Sequence, residues 1–303
     1  MNGKTISVIA LSSRDYADLP AKLREAVHWM ECACLQGADL VVFPETLNVY
    51  KGDGPGNPNA LSYEEAALDD WEAGTRFLRE AAVRLKVAVV LPLLIREDAG
   101  LANVFFLISK EGRILGRYQK MRPTEGELAA GVVPGAACLM DWEGIPVAGA
   151  ICFDTNFLET FDLHARMGAR LFLIPSLWNG GPWLDGIAAR FTVPMAVAYP
   201  AWSKIVDLDG SVLASGGYRQ ETLRFGYGAP VYTASLNFNR EVFHLNEQAD
   251  RMTEIRLRYQ NAVRVKLLHE QGAFSVESLS FDLPISKIIQ EYGLTTFRDY
   301  LGR

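Results

Sequence analysis

Residues 37–44, GADLVVFP, and residues 168–175, GARLFLIP, carry one pattern twice. Each reads Gly-Ala, one free position, Leu, three apolar residues and Pro, at a separation of 168 − 37 = 131 residues. A glycine just past a helix can take the left-handed conformation that closes it. Four consecutive apolar residues suit a strand buried on both faces. Helix, glycine, buried strand and proline is therefore the unit that occurs in both halves. Before the first copy, Thr5 to Leu11 reads as a strand, and Ala26, Val27, Met30 and Cys34 fall 3, 4, 7 and 11 residues after Leu23, the apolar stripe of a helix. Around the second copy the order repeats: a strand at 147–151, a helix at 157–167 and the strand Leu171 to Ile174. The pattern predicts two related halves, each a sheet with a pair of helices, packed sheet to sheet.

Between the two copies, Tyr50 to Ala60 is a loop, with GDGPGNP at its centre. Ser62-Tyr63-Glu64-Glu65 is a capping box opening a helix that should run to Lys86, with a break at Gly74. Val87 to Leu94 is an apolar strand, and Val104 to Ser109 and Arg113 to Gln119 flank the hairpin turn Glu111-Gly112. Later come a helix at 184–192 and strands at 195–199, 203–207 and 212–214. Beyond residue 240, Met252, Ile255, Tyr259, Val263 and Leu267 outline a charged amphipathic helix over 249–268, and 284–303 adds a second. The reading is a main domain over 1–240 and a helical extension over 241–303 whose apolar face suits oligomer contacts.

The 303 residues are 49% hydrophobic, enough for a sizeable core, and 30 basic against 36 acidic residues give a net charge of −6. That balance supplies no broad basic surface for nucleic acid or anionic lipid, so a small-molecule partner is expected. No apolar run has the length of a membrane span, and the N-terminal stretch turns polar too early for a secretory signal, which points to the cytoplasm. Four cysteines, at 32, 34, 138 and 152, are too few for a disulfide framework and show no CxxC spacing, so no metal site is expected.

Three strand ends carry chemistry: Glu45 follows LVVFP, Lys120 follows RILGRYQ, and Cys152 follows VAGAI. Singly, each has an ordinary reading, a buried thiol acting as a small apolar residue or a charged strand terminus in solvent. An acid, an ammonium and a thiol at one edge of a sandwich are the parts of a thiol acyl-transfer site. VVFPET, GRYQKMRPTEGE and AICFDTNF resemble, in order and spacing, the three signature segments of the nitrilase (carbon-nitrogen hydrolase) superfamily. The resemblance continues through Asn103, GARLFLIPSLWN and SKIVDLDGSVLA, over roughly residues 5–235.

The resemblance implies an α/β (α+β) fold, a four-layer α-β-β-α sandwich of two pseudo-symmetric halves. It implies Glu45 as general base, Lys120 as catalytic lysine, Cys152 as nucleophile and Glu127 as a second glutamate, with Glu125 in the same TEGE stretch as its competitor. It also implies homodimers or larger homo-oligomers. Attack by a thiol on a carboxamide carbon needs a base or a lowered pKa, which Glu45 and Lys120 could supply. The oxyanion needs fixed positive charge, from Lys120 with the Phe153 N–H as a second donor. No cofactor is called for. Tyr50, Phe153, Trp178 and Asn179 are candidate pocket residues from their places beside the strand ends. Among the four histidines only His164 lies near Cys152 in sequence, on the following helix, where packing is its ordinary role.

The expected reaction is hydrolysis of a small non-peptide amide. The alternatives are a nitrile, an N-carbamoyl compound, acyl transfer to another acceptor, or a non-catalytic binding protein, the last disfavoured because all four site residues are present. Thr155, Asn156 and Leu158 stand where family members often have arginine or proline, which weakens the carbamoyl reading. Nitrile-cleaving members usually have Trp-Glu after the cysteine, so Cys152-Phe153-Asp154 falls with the amide- and carbamoyl-cleaving group.

Overall fold

The computed structural model describes residues 3–11, 15–52, 60–178, 180–217 and 230–302. Its two six-stranded sheets run in matching orders. The first is β12-β1-β2-β3-β4-β5, formed by β1 (Gly3–Ile9), β2 (Leu40–Val42), β3 (Ala88–Glu97), β4 (Gly100–Ile108), β5 (Ile114–Gln119) and β12 (Val231–Asn237). The second is β11-β10-β9-β8-β7-β6, formed by β6 (Leu139–Trp142), β7 (Ile145–Gly149), β8 (Leu171–Pro175), β9 (Met195–Ala198), β10 (Ser203–Val206) and β11 (Val212–Gly216). The repeated segments are β2 and β8. Each is a short strand paired in parallel on both sides, β2 with β1 and β3, β8 with β7 and β9. Gly37 and Gly168 have φ of 81° and 103°, which only glycine adopts without strain.

Alternation along the strands separates three cores. Leu40 and Val42 face the other sheet, where Val90, Phe105, Tyr118, Trp142, Val147, Ile151 and Leu173 interdigitate. Val41 and Phe43 face outward, under α1 (Leu19–Leu35) and α3 (Trp71–Leu85), through Leu23, Met30 and Leu78. On the far side, Phe172 and Ile174 lie under α5 (Leu158–Met167) and α6 (Gly181–Phe191), through Phe161, Leu184 and Ile187. This is the four-layer α-β-β-α sandwich that the repeat and the resemblance lead one to expect. At Gly149 an added Cβ would lie 2.3 Å from the Tyr118 ring, so glycine there lets β5 and β7 approach closely across the sheets.

The helix expected from Ser62 to Lys86 divides earlier than predicted. The capping box does form, with Glu65 N–H on Ser62 Oγ and Ser62 N–H on Glu65 Oε2, but α2 (Tyr63–Ala66) is a single turn. The chain restarts at Asp70, whose carboxylate caps Ala73 N–H, and Gly74 lies inside α3. Residues 53–59 of the expected loop lie outside the described residues.

Residues beyond 240 are not simply helical. The amphipathic helix ends at Tyr259, and Val263–Leu268 is a strand in a three-stranded antiparallel sheet with Arg240–His244 and Ala273–Ser278. Alternating Val263, Val265 and Leu267 satisfy a strand as well as a helix stripe, and long-range pairing decides between them. Ile255 packs with Phe243, Phe274, Val276 and Ile288, so the helix buries its apolar face within its own chain and does not leave it for a partner. Among the described residues, no helix is long and apolar enough to cross a membrane.

Ion pairs fasten this unit to the sandwich. Arg170, at the start of β8, meets Glu241 at 2.6 Å and donates to the carbonyls of Phe238 and Arg240. Asp207 and Asp209, between β10 and β11, hold Arg240 at 2.5 Å and Lys266 at 2.7 Å respectively. Burial alone would raise the Asp209 pKa, but Lys266, Ser211 and Arg240 together hold it down to about 2. The ordinary value is 3.8, so the folded pKa is depressed and the stabilisation is fully present above pH 3.8 and lost as pH falls towards 2. Asp209→Asn should lower stability at neutral pH by about 2 kcal/mol and flatten its dependence between about pH 4 and 2. Urea unfolding at several pH values, followed by circular dichroism, measures both.

Candidate active site

Pseudo-symmetric strand ends meet at the site. Glu45 follows the proline that closes the first repeated segment, and Leu177 stands two residues after the proline that closes the second. Leu177 N–H donates to Glu45 Oε2 at 3.2 Å, joining the two halves at their carboxyl-side ends. Lys120 leaves the end of β5 and its ammonium lies 2.8 Å from Glu45 Oε1 and 2.8 Å from Glu127 Oε2. All three are buried, with Lys120 only 1% exposed.

Glu127 reaches this position through a second capping box. Thr124 caps α4 (Glu125–Ala129) by accepting Glu127 N–H at 3.3 Å, and Glu127 Oε2 accepts Thr124 N–H at 2.7 Å. The N3 position turns the glutamate back onto its own helix start, beside Lys120. Glu125, at the first helical position, is exposed, so of the two glutamates in TEGE it is Glu127 that joins the cluster. Asn103 on β4 completes it by donating from Nδ2 to Glu45 Oε1 at 2.8 Å and to Glu127 Oε1 at 2.7 Å. One amide and one ammonium thus hold two carboxylates that would otherwise repel.

Charge and burial act against each other in this cluster. Burial works to discharge Lys120, but the charges of Glu45 and Glu127 outweigh it and its pKa is raised. Burial likewise works to raise Glu127, and the Lys120 ammonium holds it below the ordinary carboxylate range. Lys120 therefore stays an ammonium, and Glu127 a carboxylate, at neutral pH.

Cys152 opens a 3₁₀ turn, Cys152–Asn156, directly after Ile151, with φ of 45°. Burial first, and then the neighbouring Glu45 charge, push its thiol up to about 12, against the opposite pull of Lys120 and the Leu177 N–H. A thiol, not a thiolate, faces Glu45 at neutral pH. Lys120 does not lower the pKa enough to ionise it.

The remaining candidates sit at the margin. Phe153 is partly exposed and meets Phe157 edge to face at 5.4 Å. Trp178 is 41% exposed, directly after Leu177. The Tyr50 carbonyl accepts Tyr16 N–H, and its ring faces the Lys51 ammonium. Asn179 lies outside the described residues. His164 is fully buried and stands edge-on to Tyr118 at 5.8 Å, a packing position. Sequence reasoning missed Tyr63, whose pKa is raised by burial and then by the Glu127 and Glu45 charges, which puts its phenol beside the cluster. Its place in a capping box gave it a purely local reading. Among the described residues, no group of three or more His, Cys, Asp or Glu side chains is arranged to hold a metal.

Comparison with known proteins gives the family. Residues 5–237 match the model of the family described as carbon-nitrogen hydrolase. The chain belongs to the carbon-nitrogen hydrolase family. A 2-oxoglutaramate amidase of Bacillus subtilis is 23% identical over 209 residues, 62% of this chain and 77% of that protein. A deaminated glutathione amidase of Synechocystis is 26% identical over 185 residues, 56% of this chain and 65% of that one. In fold, an amidase of the nitrilase superfamily from Nesterenkonia has a TM-score of 0.63 at 21% identity, covering 84% of this chain and 97% of that one. The chain is thus a carbon-nitrogen hydrolase of the nitrilase superfamily whose named relatives include amidases.

Removing Lys120 would leave two buried carboxylates without their cation. Lys120→Met should therefore destabilise the fold by about 3–5 kcal/mol as well as affect the site. With the carboxylates facing each other, one would have a raised folded pKa, so the variant is most stable below its ordinary value near 4.3 and loses stability as pH rises. Denaturant unfolding from pH 5 to 8 should show a downward slope in the variant and none from this cluster in the wild type.

Proposed function

We propose that the protein hydrolyses a small non-peptide carboxamide through a thioester on Cys152. The observation that carries this reading is the Lys120 ammonium held between two buried carboxylates, one of which, Glu45, also faces the thiol. With a thiol pKa near 12, attack and deprotonation belong together. As Sγ bonds to the amide carbon, Glu45 takes the thiol proton and the carbonyl electrons move onto oxygen, where Lys120 stabilises the negative charge. Glu45 then gives that proton to the departing nitrogen. The C–N bond breaks, ammonia or an amine leaves, and the thioester remains. Water attacks the thioester while Glu45 takes its proton, and collapse of the second tetrahedral species returns the thiol and releases a carboxylic acid. Glu127 keeps Lys120 charged and aimed, touching neither nucleophile nor leaving group.

Amide is favoured over nitrile by the Phe153-Asp154 pair after the cysteine, over carbamoyl substrates by Thr155, Asn156 and Leu158, and over both by the amidase names of the relatives. Relative rates on a matched carboxamide and nitrile test it. The amide should be faster by about tenfold, roughly 1.4 kcal/mol in barrier. Cys152→Ala should abolish turnover with the fold intact, and Glu45→Gln should lower it by at least about 10² by removing the proton carrier. Turnover in Cys152→Ala comparable to the wild type overturns the reading.

The cytoplasm remains the proposed site of action. Pairing of copies through α5, which exposes Leu158, Leu163 and Met167 to solvent, is proposed as well. Light scattering at micromolar concentration should report a dimer or larger, and Leu163→Glu should shift it towards monomer.

A further inference from the structure

Resting on Cys152 as nucleophile, we infer that Asp154 is a positioning residue that sets the thiol and the Lys120 ammonium at their working separation. Asp154 is fully buried, and its carboxylate accepts from two separate stretches of chain. Oδ2 takes Ile151 N–H at 2.9 Å, on the amino side of the nucleophile. Oδ2 also takes the Tyr118 hydroxyl at 2.8 Å and Met121 N–H at 3.4 Å, while Oδ1 takes Arg122 N–H at 2.7 Å. Residues 118, 121 and 122 bracket Lys120 on both sides. One carboxylate therefore grips the chain just before the thiol and the chain around the ammonium.

The nucleophile turn needs such a grip. Cys152 has φ of 45°, a left-handed conformation that persists in a non-glycine residue only where neighbouring bonds over-determine it. Asp154 N–H on the Ile151 carbonyl at 3.0 Å and the Thr155 hydroxyl on the Cys152 carbonyl at 2.6 Å close the turn locally. Neither bond relates it to the opposite sheet. That relation runs through Asp154 to β5 and the loop after it, where Tyr118 packs against Gly149. All the donors around this carboxylate are N–H or O–H groups, so an acceptor at both oxygens is required. Asparagine has one acceptor, and its NH₂ would confront a donor whichever way the amide turned.

The consequence is kinetic. A misplacement of about 1 Å between reacting groups costs on the order of 10²-fold in rate. Asp154→Asn should therefore slow acylation of Cys152 by about 10²-fold while changing the half-saturating substrate concentration by less than about threefold. Tyr118→Phe, which removes one donor and keeps the carboxylate, should slow it several-fold. The experiment is single-turnover acetylation by p-nitrophenyl acetate, followed by p-nitrophenol release and by intact mass. The rate constant is taken per labelled site, and thermal melting is recorded alongside.

A merely structural Asp154 would lower the melting temperature and the fraction of protein that labels, yet leave the rate constant of the labelled sites unchanged. That result, or an Asp154→Asn rate constant within about twofold of wild type, overturns the inference. If Asp154→Asn does not fold, Tyr118→Phe decides: a reduced rate constant at full labelling supports the inference, and an unchanged one overturns it. Cys152→Ala separates the two levels of argument. Acetylation that persists in that variant removes the nucleophile itself, whereas acetylation that disappears there while Asp154→Asn reacts normally removes only the positioning role.

Discussion

An ammonium buried between two carboxylates is the constraint around which the rest of the molecule is arranged. Taking one cation and two anions out of water costs several kcal/mol per ion, and mutual attraction offsets this only where the geometry is close and the remaining lone pairs are met. Here four parts of the chain meet that condition: the end of β2 brings Glu45, β4 brings Asn103, the end of β5 brings Lys120, and the capping box of α4 turns Glu127 inward. The three charges sum to −1 before any substrate enters. Burial first, and the Glu45 charge second, disfavour a preformed thiolate and raise the Cys152 pKa. Glu45 meets Lys120 and Asn103 through Oε1 and takes Leu177 N–H on Oε2, so both of its oxygens are engaged.

The fold was legible where periodicity and local chemistry agree. GADLVVFP and GARLFLIP give the two buried parallel strands because an all-apolar run ending in proline has few other uses, and the glycines before them sit at positive φ as helix-closing residues do. The charged strand ends were legible for a related reason: Glu45 and Lys120 would be costly to bury alone, so their presence directly after strands asks for partners. Less was visible where distant pairing decides. Val263 to Leu268 matches a helix stripe and a strand alternation equally, and only its neighbours in the three-stranded sheet select the strand. The division of α2 from α3 turns on Asp70 competing as a cap, a local choice that the glycine four residues later obscured.

The cross-strand bonds of Asn103, Leu177 and Asp154 escaped the sequence reading for a different reason. Asparagine in the middle of an apolar strand reads as a tolerated polar residue, and nothing in LANVFF indicates that both glutamates lie within 2.8 Å of its amide. Leu177 contributes a backbone N–H, which leaves no mark in residue type at all. Asp154 follows the thiol by two positions and invites a catalytic reading, yet its carboxylate faces Tyr118 and the chain after Lys120. These three share a property: each acts between segments more than twenty residues apart, so its role exists only once the sheets have packed.

That dependence bears on how the site holds its shape. The two sheets contribute opposite partners: Glu45, Asn103 and Lys120 come from the first, and Cys152 and Leu177 from the second. Any sliding of one sheet over the other would move the Cys152 thiol and the Lys120 ammonium apart before it disturbed either sheet internally. Interdigitated side chains such as Phe105, Tyr118, Trp142 and Ile151 resist sliding through close packing, but dispersion contacts alone tolerate small shifts at small cost. Directional bonds do not. Leu177 N–H on Glu45 and the Asp154 carboxylate on the Tyr118 hydroxyl and the Arg122 N–H cross the same interface at the ends that carry Glu45, Lys120 and Cys152, so directional bonds fix the register between the halves there.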